Sequence, residues 1–314
     1  MAQIPAPVAA VRLAVRRALP ADGLVLVACS GGADSLALAA SARFVGGRVG
    51  LVTVDHGLQA GSPERARDVA QWAREAGFEP VEVATVTVDG RGGPEAAART
   101  ARYAALCSVA ERAGAVAVLL GHTRDDQAET VLLALARGAG PRGLAGMPRR
   151  KGIFVRPLLD ISRAETSRAC AALKLVPWDD PHNVDPAFAR SRVRGSALPS
   201  LVEALGPAVV ANLARSAEQI AADNAVLEEL ATEAYDRART AGGLSASALA
   251  EMAPAVRTRV LHAWCQRLGA PGGQLSHRHV VALDTLITQW HGQGAVHLPG
   301  GILVERRAGE LVRL

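Results

Sequence analysis

Four short, nearly continuous apolar runs, Leu24–Ala28, Val49–Val54, Val81–Val88 and Val116–Leu120, are separated by longer segments of helical composition. A strand that is apolar at every position has to be covered on both faces, and strands alternating with helices meet that need as a parallel sheet between helical layers. Segments 35–44, 63–76 and 95–112 supply the helices. The second and third open at Ser62-Pro63 and Gly93-Pro94, where proline suits a first turn. The first part of the chain therefore reads βαβαβαβα. After 160 the pattern changes. A helix capped by Ser162 runs to Leu173, a Pro/Asp/Asn-rich ordered loop follows from Pro177 to Pro186, and a long amphipathic segment from 207 to Thr240 stops at Gly242-Gly243. Helical patterns at 254–268 and 276–290 precede a hairpin, 295–298 and 302–306, with Leu311–Leu314 as a further strand. A length of 314 residues fits two domains, placed here at 1–200 (α/β) and 201–314 (mostly helical, ending in a β-hairpin).

Composition narrows the function classes. At 49% apolar and 21% charged residues the chain is globular, and no uncharged apolar run approaches the length of a membrane span, so a cytoplasmic protein without a membrane partner is expected. Cys29, Cys107, Cys170 and Cys265 lie far apart with no C-x-x-C, which argues against a disulfide framework or zinc ribbon; Cys29 and Cys107 read as buried filler. His277 and His279, near Cys265 and His262, invite a zinc reading, but a two-residue step on a helix splays the imidazoles. The net charge of +5 is uneven. Residues 1–200 hold 25 basic and 19 acidic side chains, whereas 201–314 hold 10 and 11. Segment 137–194 alone holds 12 basic and 5 acidic residues, including Arg149, Arg150, Lys151, Arg190, Arg192 and Arg194, and would suit a polyanion. Of the 35 basic residues 33 are arginines, which bind phosphate bidentately. Compositional bias accounts for the scarcity of lysine but not for the clustering.

Ser30-Gly31-Gly32-Ala33-Asp34-Ser35 follows the first strand and opens a helix. Adjacent glycines let the backbone approach a ligand, the serine hydroxyls can donate to oxyanions, and the helix aims free N–H groups at the same point. The loop is neither G-x-x-x-x-G-K-[ST] nor G-x-G-x-x-G. An aspartate beside phosphates calls for a cation such as Mg²⁺. The plainer reading is a serine-rich βα turn. A second motif, Gly121 to Thr130, follows the fourth strand. In its helix Asp125 and Glu129 are four apart and Asp126 and Glu129 three apart, so carboxylates converge where they could bind a metal or a cationic amine. Acids favouring a helix dipole would explain Asp125 and Asp126, but not His122 or Glu129.

The serine-glycine-glycine-x-aspartate-serine loop resembles that of the N-type ATP pyrophosphatases, which implies a Rossmann-like, adenine nucleotide alpha hydrolase-like fold and ATP as co-substrate. His122-Thr123-Arg124-Asp125-Asp126-Gln127-Ala128-Glu129-Thr130 is similar to the tRNA(Ile)-lysidine synthetase family within that superfamily. Three further stretches agree: Val54-Asp55-His56-Gly57-Leu58, Glu95 to Tyr103, and Leu298-Pro299-Gly300-Gly301. The resemblance is dense over 24–200 and thin over 207–290. In one family segment Asn183, Asp185, Arg190 and Arg194 match, while His182 and Ser191 replace the usual Thr/Ser and Asn.

The resemblance implies adenylation of the C2 oxygen of the first anticodon cytidine of a tRNA(Ile) with CAU anticodon, then attack by the ε-amine of free L-lysine. Ser30, Gly31, Gly32, Ala33, Asp34, Ser35 and His56 would serve ATP, with Asp34 holding Mg²⁺. Asp126 and Glu129 would grip lysine's ammonium. Arg102, with Arg99, would neutralise phosphate or carboxylate, and His122 and Asp125 would orient metal or adenylate. Asn183, Arg190, Arg192 and Arg194 would meet tRNA; by charge alone a solvated helix face accounts for the arginines equally well. The sequence singles out no base for the amine, and a homodimer is allowed. The rival readings are a 2-thiocytidine-type tRNA thiolase, for which paired cysteines are missing, and a noncatalytic RNA-binding module, against which intact Asp34, Asp126 and Glu129 argue.

Overall fold

The computed structural model of the chain describes residues 4–55, 57, 61–87, 94–178 and 185–314. The chain forms two compact units, Met1–Gln219 and Ile220–Leu314.

The first unit runs α1 (Ala6–Ala18), β1 (Leu24–Ala28), α2 (Ala33–Val45), β2 (Arg48–Asp55), α3 (Ser62–Glu75), β3 (Val81–Thr85), α4 (Pro94–Ala113), β4 (Ala115–Leu120), α5 (Arg124–Ala136), α6 (Pro141–Leu144), β5 (Arg150–Lys151), β6 (Phe154–Val155), α7 (Arg163–Ala172), α8 (Ala189–Arg192), a π-helical turn at Val193–Ala197, and α9 (Leu198–Leu205). Helix α10 (Ala208–Ala238) carries the chain into the second unit, which continues as β7 (Gly243–Ser245), α11 (Ala246–Ala250), α12 (Pro254–Arg267), α13 (His277–Thr288), β8 (Val296–Leu298), β9 (Ile302–Arg307) and β10 (Glu310–Arg313).

The large sheet has the order β3-β2-β1-β4-β6-β5. Every pairing is parallel except that of the edge strand β5 with β6. Alternate side chains of the central strands enter opposite cores. Val25 and Val27 of β1 join α1, α2, α3 and α7 on one face, while Leu24 and Leu26 join Leu106, Val109 and Ala110 of α4 on the other. Burial on both faces explains why these strands read as unbroken apolar runs. Val8, Val11 and Val15 present one buried stripe of α1, a helix that the βαβαβαβα order does not include. Chain connections leave β1 and β4 in opposite directions, which opens a crevice at their C-terminal ends. Gly121 closes the floor of that crevice: a β-carbon there would lie 3.2 Å from backbone atoms of Asp34 and Ser35.

The hairpin expected at the C-terminus belongs to a four-stranded antiparallel sheet, β7-β10-β9-β8. Strand β7 has only three residues, too few to show a period of two in sequence. The core of this unit gathers Leu249, Leu261, Leu283 and Leu311, all fully buried, and the Arg257 guanidinium bonds Asp284 at 2.6 Å. No single helix among the described residues is long and apolar enough to cross a membrane.

Candidate active site

The loop from Ser30 to Ser35 is held from within. Ser30 N–H donates to Ser35 Oγ at 3.2 Å, and Ser35 Oγ donates to the Gly32 carbonyl at 2.9 Å. Ser35 is buried and Ser30 exposed, so of the two hydroxyls expected to face an anion only that of Ser30 lies at the surface, and Ser35 braces the turn. Gly31 takes φ +84°, a left-handed conformation that strains other residues. Its carbonyl accepts from Trp178 N–H at 2.9 Å, and Arg65 stacks 3.1 Å above the Trp178 ring. Helix α2 has Gly32 as its N-cap and no side-chain cap bond, leaving its first amides to a ligand.

Asp34 projects from the first turn of α2 toward α7. Thr166 Oγ1 donates to its Oδ1, and Arg163 Nε lies 3.8 Å from its Oδ2. Burial pushes the Asp34 carboxyl up to about 6 despite the hydrogen bond from Thr166, and the charge of Asp126 adds to the rise against Arg163 and Arg194. An aspartate that ionises reluctantly is eased by a cation. No cluster of three or more His, Cys, Asp or Glu among the described residues makes a closed metal cage. A lone carboxylate beside a phosphate loop fits Mg²⁺, which keeps its waters and uses one or two carboxylates with substrate phosphates.

Thr123 caps α5 in a reciprocal box with Asp126: Asp126 Oδ2 accepts from Thr123 N–H at 2.8 Å and from its hydroxyl at 2.9 Å. The other oxygen, Oδ1, faces the crevice and meets Arg163 Nη2 at 3.0 Å and Arg194 Nη2 at 3.2 Å. Asp126 is therefore a helix cap and a site carboxylate at once. Burial raises its pKa, but Arg163, the Thr123 amide and Arg190 outweigh that, so the net shift is downward. Thr123→Ala is expected to cost about 1–2 kcal/mol as a lost cap, measured by urea unfolding, and a loss below a few tenths would deny the cap its role.

Glu129 is fully buried and carries three guanidiniums. Arg194 reaches it through Nε at 2.8 Å and Nη2 at 3.1 Å, Arg163 through Nη2 at 3.1 Å, and Arg190 through Nε at 3.2 Å. Arg190 Nη2 also donates to Thr130 Oγ1 at 2.8 Å. Arg190 and Arg194 thus turn inward to the acids, not onto a solvated helix face, and Arg194 does so from the π-helical turn, a distortion common at functional sites. Arg192 is exposed and bonds the carbonyls of Pro186 and Ala187. Asp125 does not join the acid pair; its Oδ2 accepts from Arg163 N–H at 2.9 Å, tying α5 to the start of α7.

His122 is neutral. Burial depresses its pKa to about 3, and Arg102, Arg156 and Arg99 lower it further against Asp126. Its Nδ1 is buried without a hydrogen-bond partner among the described residues. Burial also lowers the pKa of Arg102. Arg156 donates to the Pro148 carbonyl at 2.9 Å and to Tyr103 Oη at 3.3 Å. Three guanidiniums around an uncharged imidazole make this wall of the crevice receptive to an anion.

The crevice brings together Asp34, His122, Asp126, Glu129, Arg102, Arg190 and Arg194, and adds Arg163, Thr166 and Arg156, which the sequence reading did not include. Arg163 reads in sequence only as the residue after an N-cap; its partners lie more than thirty residues away. His56 and Asn183 lie outside the described residues. Cys29 is buried, with Sγ 3.5 Å from Ser35 Oγ, but Cys107 is exposed, contrary to expectation, because Leu106, Val109 and Ala110 take the inward face of α4. His279 Nδ1 accepts from Ser276 N–H at 3.0 Å as part of the cap of α13.

Residues 11–201 match the PP-loop domain family, and residues 244–312 match the TilS substrate binding domain. A relative from Salinispora tropica, named tRNA(Ile)-lysidine synthase, is 62% identical over 100% of this chain and 98% of its own length. One of the same name from Thermobifida fusca is 53% identical over 98% of both chains. Among solved structures, the U34-tRNA thiolase NcsA of Methanococcus maripaludis superposes with a TM-score of 0.55 at 19% identity, covering 68% of this chain and 80% of its own, a likeness of fold.

Proposed function

The chain belongs to the tRNA(Ile)-lysidine synthase family, and from that membership we propose that it ligates L-lysine to C2 of the first anticodon cytidine of tRNA(Ile), using ATP and releasing AMP and pyrophosphate. The observation that carries the reading is the placement, in one crevice, of an uncapped helix start behind a double-glycine loop and a buried carboxylate pair on the neighbouring helix. The loop amides and Ser30 hold the pyrophosphate leaving group, stabilising charge as it develops. Asp34 would hold Mg²⁺, which would supply further charge neutralisation at the phosphates. Arg102, with Arg156 and neutral His122 beside it, receives an anionic phosphoryl or carboxylate group. Asp126 and Glu129 receive the lysine ammonium.

That last role has a condition. The two carboxylates already carry Arg163, Arg190 and Arg194, so a fourth cation enters only as a guanidinium turns away. Arg190 and Arg194 are the natural pair to move, because tRNA phosphates offer them other partners. A thiolase is the less supported reading: the relatives at 53–62% identity are lysidine synthases, while the thiolase is alike in fold alone.

Pyrophosphate release from Mg-ATP tests the reading. It is expected to require an unmodified tRNA with cytidine at the first anticodon position and to fall to background when that cytidine becomes uridine. Equal release from both tRNAs would remove the cytidine as acceptor.

A further inference from the structure

Helix α1 and the β5–β6 hairpin border a groove of about 470 Å³ in the first unit. Arg17, Arg149, Arg150 and Arg156 line it against a single acid, Asp160, and Leu13, Val155 and Ile161 contribute an apolar floor. The four cations are not alike. Arg149 is fixed by Asp160 at 2.7 Å and Glu218 at 2.8 Å, and Arg156 is turned toward the Pro148 carbonyl and Tyr103. The guanidiniums of Arg17 and Arg150 have no carboxylate or hydrogen-bond partner among the described residues. The groove therefore has a rigid wall and two uncommitted guanidiniums.

Charged residues on an edge strand also deter strand pairing, which would account for Arg150 and Lys151 of β5. It does not account for Arg17, which comes from a different element, or for the apolar floor beneath. A small inorganic anion would use the guanidiniums and leave the floor idle. A nucleic-acid strand uses both, with phosphates on planar forks and a sugar or base face on apolar side chains. We infer that this groove docks the phosphate backbone of the tRNA substrate, holding RNA outside the anticodon-reacting centre through Arg17 and Arg150. The inference rests on tRNA being the substrate.

The test compares the full chain with an Arg17→Glu/Arg150→Glu variant and its neutral partner Arg17→Gln/Arg150→Gln. Each is titrated with unmodified tRNA(Ile) transcript across ~50 to ~200 mM salt, after thermal melting has shown equal stability. The charge reversal is expected to weaken tRNA binding about tenfold or more and to flatten the log–log salt slope by roughly 1.5–2, the neutral variant showing the same flattening with a smaller loss. Pyrophosphate release at saturating tRNA should stay within about twofold of the parent, because neither residue lies at the reacting centre. An unchanged Kd and salt slope in both variants overturns the groove while leaving the ligase reading intact. Competition of tRNA binding by millimolar inorganic phosphate in the parent, abolished in the variants, also overturns it by making the groove a small-anion site. A parent chain that binds no tRNA overturns both readings together.

Discussion

Glu129→Gln should destabilise the first unit by about 3–5 kcal/mol, the usual cost of leaving buried charges without their partner. Glu129 is fully buried and is the carboxylate that Arg163, Arg190 and Arg194 share. The amide keeps the volume but loses the charge, and its NH₂ end would point a donor at guanidiniums that also donate. Against a typical total of about 5–15 kcal/mol the loss is large, and chemical denaturation followed through the first unit measures it. A loss below about 1 kcal/mol would mean that Asp126 and Asp34 alone balance the three cations. Glu129→Asp keeps the charge and retracts it by one methylene. It should fold, and it should raise the lysine KM more than the ATP KM; equal effects on both would deny Glu129 a place in the amine site.

Asp34→Asn should lower pyrophosphate release by on the order of a hundredfold or more, as loss of a preorganised electrostatic group does, with tRNA affinity nearly unchanged. Stability should move the other way. The folded-state pKa near 6 lies above the ordinary aspartate value of 3.8, so the folded protein holds this proton more tightly than the unfolded chain does. The stability linked to that proton is fully present below pH 3.8 and is lost as pH rises through 6. Ligand-free Asp34→Asn is therefore expected to melt a few degrees above the parent at pH 8, a gain of roughly 2–3 kcal/mol at most, and to match it near pH 4. A parent that is the more stable of the two at pH 8 without ligands would contradict the pKa assignment. Together the two results describe a carboxylate kept for chemistry at the expense of the fold.

Much of the fold was legible because burial on both faces leaves a strong mark. Strands β1, β2 and β4 read as unbroken apolar runs, and the crevice follows from their order. The double glycine before Asp34 and the spacing of Asp126 and Glu129 were equally visible, since local geometry alone puts them at a helix start and on one helix face. What could not be read was what those carboxylates touch. Arg163 meets them because α7 returns to the crevice, and Arg190 and Arg194 because the chain after 185 folds back through a π-helical turn. Such contacts are tertiary and leave no period in the sequence. Asp125 illustrates the converse: its helical spacing to Glu129 was correct, but its side chain is taken by the Arg163 backbone amide. The short strands β5, β6 and β7 escaped because two or three residues show no alternation, although β5 carries the basic run that composition had already singled out.

Incorporation of labelled lysine tests the central claim most directly. The purified chain is incubated with Mg-ATP, labelled L-lysine and unmodified tRNA(Ile) bearing a CAU anticodon, with parallel reactions lacking ATP or carrying uridine at the first anticodon position. Label should enter the RNA only in the complete reaction, and digestion should place it on the nucleoside derived from that cytidine. Pyrophosphate release without lysine transfer would contradict the ligase assignment while sparing the phosphate loop, and label entering the uridine tRNA equally well would contradict the acceptor.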